Sequence, residues 1–227
     1  MQRMPTWVLV PLALTIATPA AARTVVVELF GSQGCSTCPP ANANLARVAD
    51  QPDVIALNYS VTYWDHLGWK DTFAQPKFTL RQIEYSHSLH HPNVFTPQVV
   101  VDGRKDAPGI DRTEFNRLVN SVPDLSGPSV LVKADEVSLG AGAPPRAPAD
   151  VWLVRYDPRT LQVAIGRGEN TGKTLPHRNV VRDLVLIGRW TGAAETFTVP
   201  PPADPAWRTA ILVQAPKVGP ILAAAKD

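Results

Sequence analysis

The sequence predicts two folded units, an α/β unit over residues 23–122 and an all-β, sandwich-like unit over residues 129–227. Two observations carry this prediction. In the first half, β-branched segments alternate with helical patterns in the order β-α-β-α-β-β-α. In the second half the helical patterns stop, and short strand-like segments alternate with turns rich in proline and glycine. Residues 123–128 (PDLSGP) have the composition of a linker.

The α/β unit opens with a strand, because residues 24–30 (TVVVELF) form the nearly continuous apolar run of a strand covered on both faces. Asp102 and Gly103 form a hairpin turn signal, which predicts a short fourth strand after the third. Asp111 is a predicted helix N-cap for the last helix, 111–122, with Glu114 three residues later. The other predicted elements are a helix over 40–50, a strand over 54–61, a helix over 77–90 and a strand over 98–101.

The all-β unit is predicted from short apolar segments separated by turn signals. Its strands are predicted over 130–132, 151–156, 161–165, 180–187, 196–199 and 209–213. Residues 166–172 (GRGENTG) have the glycine spacing of a weak phosphate-loop pattern, but no helix follows them. We therefore predict a turn between strands there.

Composition excludes several classes of protein. The chain has 227 residues, of which 44% are hydrophobic and 19% charged, with a formal net charge of +2. This apolar content is sufficient for a folded core, and the near-neutral charge argues against a nucleic-acid-binding protein. With two cysteines, the chain is not a disulfide scaffold.

Residues 1–22 are predicted to be a signal peptide. Arg3 supplies the basic start, residues 4–22 carry no charge, and Ala20, Ala21 and Ala22 supply a small-residue cleavage site. The apolar run is shorter than the ~20 residues that a membrane span needs. An uncleaved anchor is the alternative. We expect a secreted or periplasmic protein with no stable membrane insertion after cleavage.

The two cysteines form a C-x-x-C motif, Cys35 to Cys38, between the first strand and the first helix. This placement is typical of a redox motif, because two intervening residues let the sulfur atoms close a disulfide. The positive end of the helix dipole stabilises a thiolate there. We expect Cys35 to be the exposed nucleophile and Cys38 to resolve the mixed disulfide.

The predicted topology brings two further segments to the same sheet edge. Strands one and two of a β-α-β unit are parallel, so both end at that edge, and an antiparallel third strand begins there. Thr96 and Pro97 precede the third strand, and their peptide bond is a candidate for the cis form. Residues 62–69 (TYWDHLGW) follow the second strand. This loop supplies a predicted substrate wall, in which a protonated His66 would be a cation near the thiolate: Trp64, Asp65, His66 and Trp69.

These motifs resemble the thioredoxin fold, and in more detail a secreted thioredoxin-like family filed as a domain of unknown function. The resemblance rests on the segments ELFGSQGCSTCPPANANL, YWDHLGWKD, RQIEYS, TPQVVVDG and GENTGKTLPHRNVVRDLVLIGRWTG. It implies that Pro97 packs beside the disulfide and that Thr96 pairs with substrate backbone. It also implies a buried strand acid, here Glu28, as proton acceptor for Cys38. One departure is Gly34, which stands where a tryptophan commonly precedes the first cysteine.

Together these observations predict an exported thiol–disulfide oxidoreductase that needs no cofactor. Its substrate would be a protein or small-molecule thiol or disulfide, with a redox partner protein as a further expectation. Three alternatives stay open at this level: a stable structural disulfide, a redox-inert adaptor, and a copper or zinc carrier. The carrier would use both cysteines and a histidine from His87, His90 and His91.

Overall fold

The computed structural model describes residues 24–133 and 135–227. The predicted signal peptide, residues 1–22, lies outside the described residues. Within the described ranges, no helix has the length and apolarity needed to cross a membrane.

The first half has the predicted order of elements, β-α-β-α-β-β-α. Strand β1 runs parallel to β2 and antiparallel to β3, so the end of β1 and the start of β3 meet at one sheet edge. The elements are β1 (Val25–Gly31), α1 (Cys38–Val48), β2 (Val54–Ser60), a 3-10 helix (Asp65–Leu67), α2 (Pro76–Ser88), β3 (Gln98–Val101), β4 (Lys105–Ala107) and α3 (Arg112–Val119).

Strands and turns make up the second half in the described residues. These strands are β5 (Val130–Val132), β6 (Glu136–Leu139), β7 (Ala149–Asp157), β8 (Leu161–Ala164), β9 (Thr174–His177), β10 (Val180–Trp190), β11 (Glu195–Thr198), β12 (Arg208–Gln214) and β13 (Ile221–Lys226). Two small sheets, β11-β6-β5 and β8-β9, stand beside the main sheet.

The second half does not form the separate sandwich that the sequence predicts. Four of its strands extend the sheet of the first half, in the order β13-β12-β7-β10-β2-β1-β3-β4. The junction is parallel pairing between β10 and β2 at Val180 and Asn58. Asn179 strengthens it, since its carbonyl accepts the Asn58 N–H at 2.9 Å and its amide donates to the Ala56 carbonyl at 2.9 Å. The fold is therefore mixed α/β and is built on one large sheet with parallel and antiparallel strands. The boundary at residues 123–128 stays a prediction.

Side-chain alternation along β1 divides the core into two layers. Val27 and Leu29 pack with Leu45 of α1 on one face of the sheet. Val26 and Phe30 pack on the other face, in the cluster that contains Phe78 and Tyr85 of α2. A side chain on β1 therefore faces either α1 or α2 according to the parity of its position.

The predicted N-cap of α3 gives a first test. The Asp111 carboxylate accepts the Glu114 N–H at 2.8 Å, as the sequence predicts. Because that backbone donor loses its partner, Asp111→Ala should lower the free energy of unfolding by about 1 kcal/mol. Urea denaturation measures this, with Asp111→Asn as the control that keeps the cap. Equal loss in both variants would contradict the capping role.

Candidate functional site

Cys35 and Cys38 form a disulfide at the sheet edge where β1 ends, with their Cα atoms 5.4 Å apart. Cys38 is the first residue of α1, and its N–H donates to the Cys35 carbonyl at 3.2 Å. A Cβ atom at Gly31 would lie 3.4 Å from the Cys38 sulfur, so the glycine lets the disulfide pack on the end of the strand. The sequence places the dithiol correctly between β1 and α1.

The expected exposure of Cys35 is wrong, because its fractional exposure is 0%. The loop between β8 and β9, residues 165–173, lies against residues 33–38, the cysteine segment. The Asn170 side-chain amide donates to the carbonyls of Gln33 at 3.0 Å and Cys35 at 2.9 Å. The Ser36 N–H donates to the Glu169 carboxylate at 3.0 Å. The segment predicted as a simple turn is thus a wall of the disulfide site.

Trp64 connects the cysteine segment to the start of β3. Its indole N–H donates to the Thr96 hydroxyl at 2.7 Å, and its Cβ would lie 3.6 Å from a Cβ atom at Gly34. The Thr96–Pro97 peptide bond is cis, which confirms the candidate that the sequence indicated. Pairing of Phe30 with Gln98 places Pro97 beside the end of β1. Trp64, Thr96 and Pro97 therefore belong to the edge that carries the disulfide.

The other residues of the predicted wall divide into two groups. The Trp69 indole N–H donates to the Gln33 side-chain carbonyl at 2.9 Å, and its ring lies 3.2 Å from the Cβ position of Gly166 in the β8–β9 loop. Asp65 instead accepts the backbone N–H of Asp71, in the same loop region, at 3.1 Å. His66 is exposed, and its Nδ1 lies 2.7 Å from the Tyr63 carbonyl. Trp69 thus joins the cysteine segment, whereas Asp65 and His66 organise their own turn.

Sequence reasoning missed a buried carboxylate beside the site. Asp71 accepts the Gln33 N–H at 2.7 Å and the Phe73 N–H at 2.8 Å. Burial raises the pKa of the Asp71 carboxyl, although these hydrogen bonds oppose the rise. Asp71 lies in the segment YWDHLGWKD, but no local pattern separates it from a solvated loop acid. Its contacts fix the backbone two residues before Cys35.

The structure does not bring Glu28 to the disulfide. Glu28 faces α2, where it accepts Arg81 Nε at 2.8 Å, Arg81 Nη2 at 3.0 Å and the Tyr85 hydroxyl at 2.5 Å. Cys38 lies on the opposite face, against Gly31, because positions 28 and 31 of β1 differ in parity. Burial raises the pKa of Tyr85 well above its ordinary value, so its hydroxyl remains a donor. Glu28 is the acid of a buried ion pair.

The histidines of the metal hypothesis do not gather around the cysteines. In the part of the chain that the structure describes, no group of three or more histidine, cysteine, aspartate or glutamate side chains is arranged to hold a metal ion. His91 instead contacts the Asp106 carboxylate, with Nε2 2.8 Å from Oδ2. The carrier alternative therefore stays an untested hypothesis.

His177, which ends the β9 strand, makes folding stability depend on pH. It is buried, its ring meets Phe73 edge-on at 5.6 Å, and burial lowers its pKa to about 4. Below about pH 6.5 His177 is protonated in the unfolded chain. In the folded chain it stays neutral until the pH falls to about 4. The folded state should therefore lose about 3 kcal/mol as the pH falls through this window.

Urea unfolding of wild type and His177→Phe between pH 7 and pH 4 tests this expectation. The phenylalanine ring cannot be protonated, so the variant should lose less stability over that range. Parallel losses in the two proteins would contradict the assignment.

Comparisons with known proteins agree with the architecture. An Agrobacterium tumefaciens protein of known crystal structure has 31% sequence identity to this chain. The structures match with a TM-score of 0.74, over 91% of this chain and 95% of that one. A structure of HBP35 of Porphyromonas gingivalis is 12% identical over 92% of this chain and 76% of that chain, with a TM-score of 0.57, which shows similarity of fold alone. A search of curated proteins finds no match. The family model described as "protein of unknown function (DUF1223)" matches residues 26–214, and the chain belongs to that family.

Proposed function

We propose that the protein is an exported thiol–disulfide oxidoreductase whose first half is a thioredoxin-like unit. One observation carries the proposal: a C-x-x-C disulfide lies between β1 and α1, at the sheet edge that also holds the cis Thr96–Pro97 bond. The order β-α-β-α-β-β-α supports the thioredoxin-like interpretation. Export rests on residues 1–22 and their signal-peptide pattern.

The reaction is thiol–disulfide exchange, which needs only the two cysteine sulfurs. In the reducing direction, the Cys35 thiolate attacks a substrate disulfide and one substrate sulfur leaves as a thiolate. The Cys38 thiolate then attacks the Cys35 sulfur of the mixed disulfide and releases the second substrate sulfur. Two electrons pass to the substrate and the Cys35–Cys38 disulfide forms. The oxidising direction is the same sequence in reverse.

Two features of the cysteine segment support a reactive Cys35 thiolate. The Thr37 hydroxyl lies 3.4 Å from the Cys35 sulfur and can donate a hydrogen bond to a thiolate there. The positive end of α1, which begins at Cys38, adds favourable electrostatic interaction. Glu169, held on the Ser36 N–H, opposes both with its negative charge.

An exchange assay of the mature chain tests the proposal. Protein reduced beforehand and freed of reductant should reduce a disulfide-bonded model protein, and the Cys35→Ser/Cys38→Ser double variant should not. Equal rates with the two proteins would reject the oxidoreductase. Burial of both cysteines favours a second candidate, in which the disulfide is stable and the unit only binds partners.

A further inference from the structure

We propose that the β8–β9 loop is a movable cover over the disulfide, latched by Asn170, and that thiols reach Cys35 only when this loop swings away. The inference rests on the proposed redox role of the same site. It assigns the segment GRGENTG a part in selecting substrates: partners that displace the loop react, and small thiols react slowly.

We assign Asn170 as the latch because both the amide nitrogen and the oxygen of its side chain are hydrogen-bonded. It is fully buried, both amide hydrogens bond the carbonyls of Gln33 and Cys35, and its oxygen accepts from the Lys173 ammonium at 3.0 Å. The contacts with Gln33 and Cys35 join positions 137 and 135 residues apart in the chain. They hold the tip of the loop against the backbone on either side of Gly34, where Cys35 is buried although Ser36 and Thr37 are exposed.

Glu169 makes a second attachment, through the Ser36 N–H. Its carboxylate is exposed, and this hydrogen bond lowers its pKa, so it is ionised at neutral pH. The attachment holds a negative charge beside Cys35. Opening the loop would both uncover the sulfur and withdraw that charge, so that the helix N-terminus stabilises a thiolate without opposition.

The hairpin that carries the loop can move without breaking the main sheet. Strands β8 and β9 pair only with each other in the described sheets. The base of the loop is closed by its own hydrogen bonds, from Ile165 N–H to the Lys173 carbonyl at 2.9 Å and from Gly172 N–H to the Ile165 carbonyl at 2.8 Å. Gly168 and Gly172 have φ of 81° and 80°, which other residues adopt at a cost. The tip therefore holds the cysteine segment through a few separable contacts.

Burial of the sulfur defines which partners react. An attacking thiolate must approach the Cys35 sulfur, whose residue is 0% exposed in the closed arrangement. Opening breaks the Asn170 hydrogen bonds to the Gln33 and Cys35 carbonyls, which then accept from water until a bound partner supplies donors. An extended polypeptide offers backbone N–H groups for this purpose. Polypeptide thiols and disulfides are therefore the substrate class that the cover admits.

The test is the rate at which excess dithiothreitol reduces the disulfide of the mature protein, read by alkylation and mass spectrometry. Asn170→Ala removes two buried hydrogen bonds, so reduction should be at least about tenfold faster than in wild type. Thr171→Ala is the matched control, since that hydroxyl donates to the Gly168 carbonyl within the loop, at 2.5 Å. The control should react within about twofold of wild type, the change expected when no cover contact is lost.

A second variant is measured beside Asn170→Ala, and a thermal melting curve shows whether Asn170→Ala is folded. Glu169→Gln removes the charge of an exposed attachment and should accelerate reduction about threefold, even if Asn170→Ala does not fold. A folded Asn170→Ala protein that is reduced at the wild-type rate would overturn the cover, as would an unchanged rate in Glu169→Gln. Because chemical reduction is measured without turnover, absence of catalysis in wild type would reject the oxidoreductase alone.

Discussion

Replacing Cys35 by serine should reduce thiol–disulfide exchange to the uncatalysed rate, whereas replacing Cys38 should trap the protein as a mixed disulfide with its substrate. The asymmetry follows from position. Cys35 lies in the loop that the β8–β9 loop covers, whereas Cys38 begins α1 and packs against Gly31 of β1. Under the proposed mechanism, Cys35 is therefore the sulfur that an incoming partner meets first once the loop has opened. Without Cys38, the mixed disulfide lacks the thiolate that resolves it.

Non-reducing electrophoresis with mass analysis of trapped species measures this outcome. Ser36→Ala is the control, because it changes an exposed side chain and retains both sulfurs. Equal trapping by Cys35→Ser and Cys38→Ser would contradict the assigned roles. Wild-type turnover by either cysteine variant would contradict the dithiol mechanism itself.

Arg81→Ala should lower the free energy of unfolding by about 3–5 kcal/mol, because it leaves the Glu28 carboxylate buried without its counter-ion. The side chains of Arg81 and Glu28 are 2% and 1% exposed. Arg81 Nη2 also donates to the Gln214 side-chain carbonyl at 3.0 Å, so the pair ties α2 to both halves of the chain. Loss of one partner therefore affects β1, α2 and β12 together.

The matched control is Lys77→Ala, on the same helix as Arg81, which breaks an ion pair with Asp183 of β10. Those side chains are 40% and 42% exposed, so the loss should stay below about 1 kcal/mol. Replacing Glu28 and Arg81 together by methionine should recover much of the stability, since neither charge remains buried. Similar denaturation midpoints for Arg81→Ala and Lys77→Ala would contradict the buried pair.

The variant Glu28→Gln tests whether Glu28 is a structural acid or the proton acceptor for Cys38. Since Glu28 and Cys38 lie on opposite faces of the sheet, the folded variant should have the wild-type pH–rate profile of exchange. A profile shifted by this substitution would restore the role that the family resemblance implies.

Local patterns predicted much of the first half and of the site. Residues 24–30 carry the apolar run of a strand buried on both faces, and the C-x-x-C motif follows where that strand ends. The Thr96–Pro97 pair precedes a short apolar strand, and Trp64 and Trp69 follow the second strand. Each of these features depends on neighbours within a few residues, which sequence patterns record well.

The features that sequence reasoning missed depend on long-range contacts. Pairing of Val180 with Asn58 merges the two halves into one sheet, and no local period encodes which distant edge a strand will join. The contact of Asn170 with Cys35 spans 135 positions. For Glu28, strand alternation indicates that it shares a face with Val26 and Phe30, but only the packed helices show that α2 covers that face.

The reduction potential of the Cys35–Cys38 pair tests the central claim most directly. The mature protein would be equilibrated with graded ratios of reduced and oxidised dithiothreitol or glutathione, for long enough that a covered disulfide reaches equilibrium. The proposed oxidoreductase function predicts a reduction potential between about −270 and −120 mV, the span of known exchange catalysts. A value below about −300 mV, typical of structural disulfides, would contradict it.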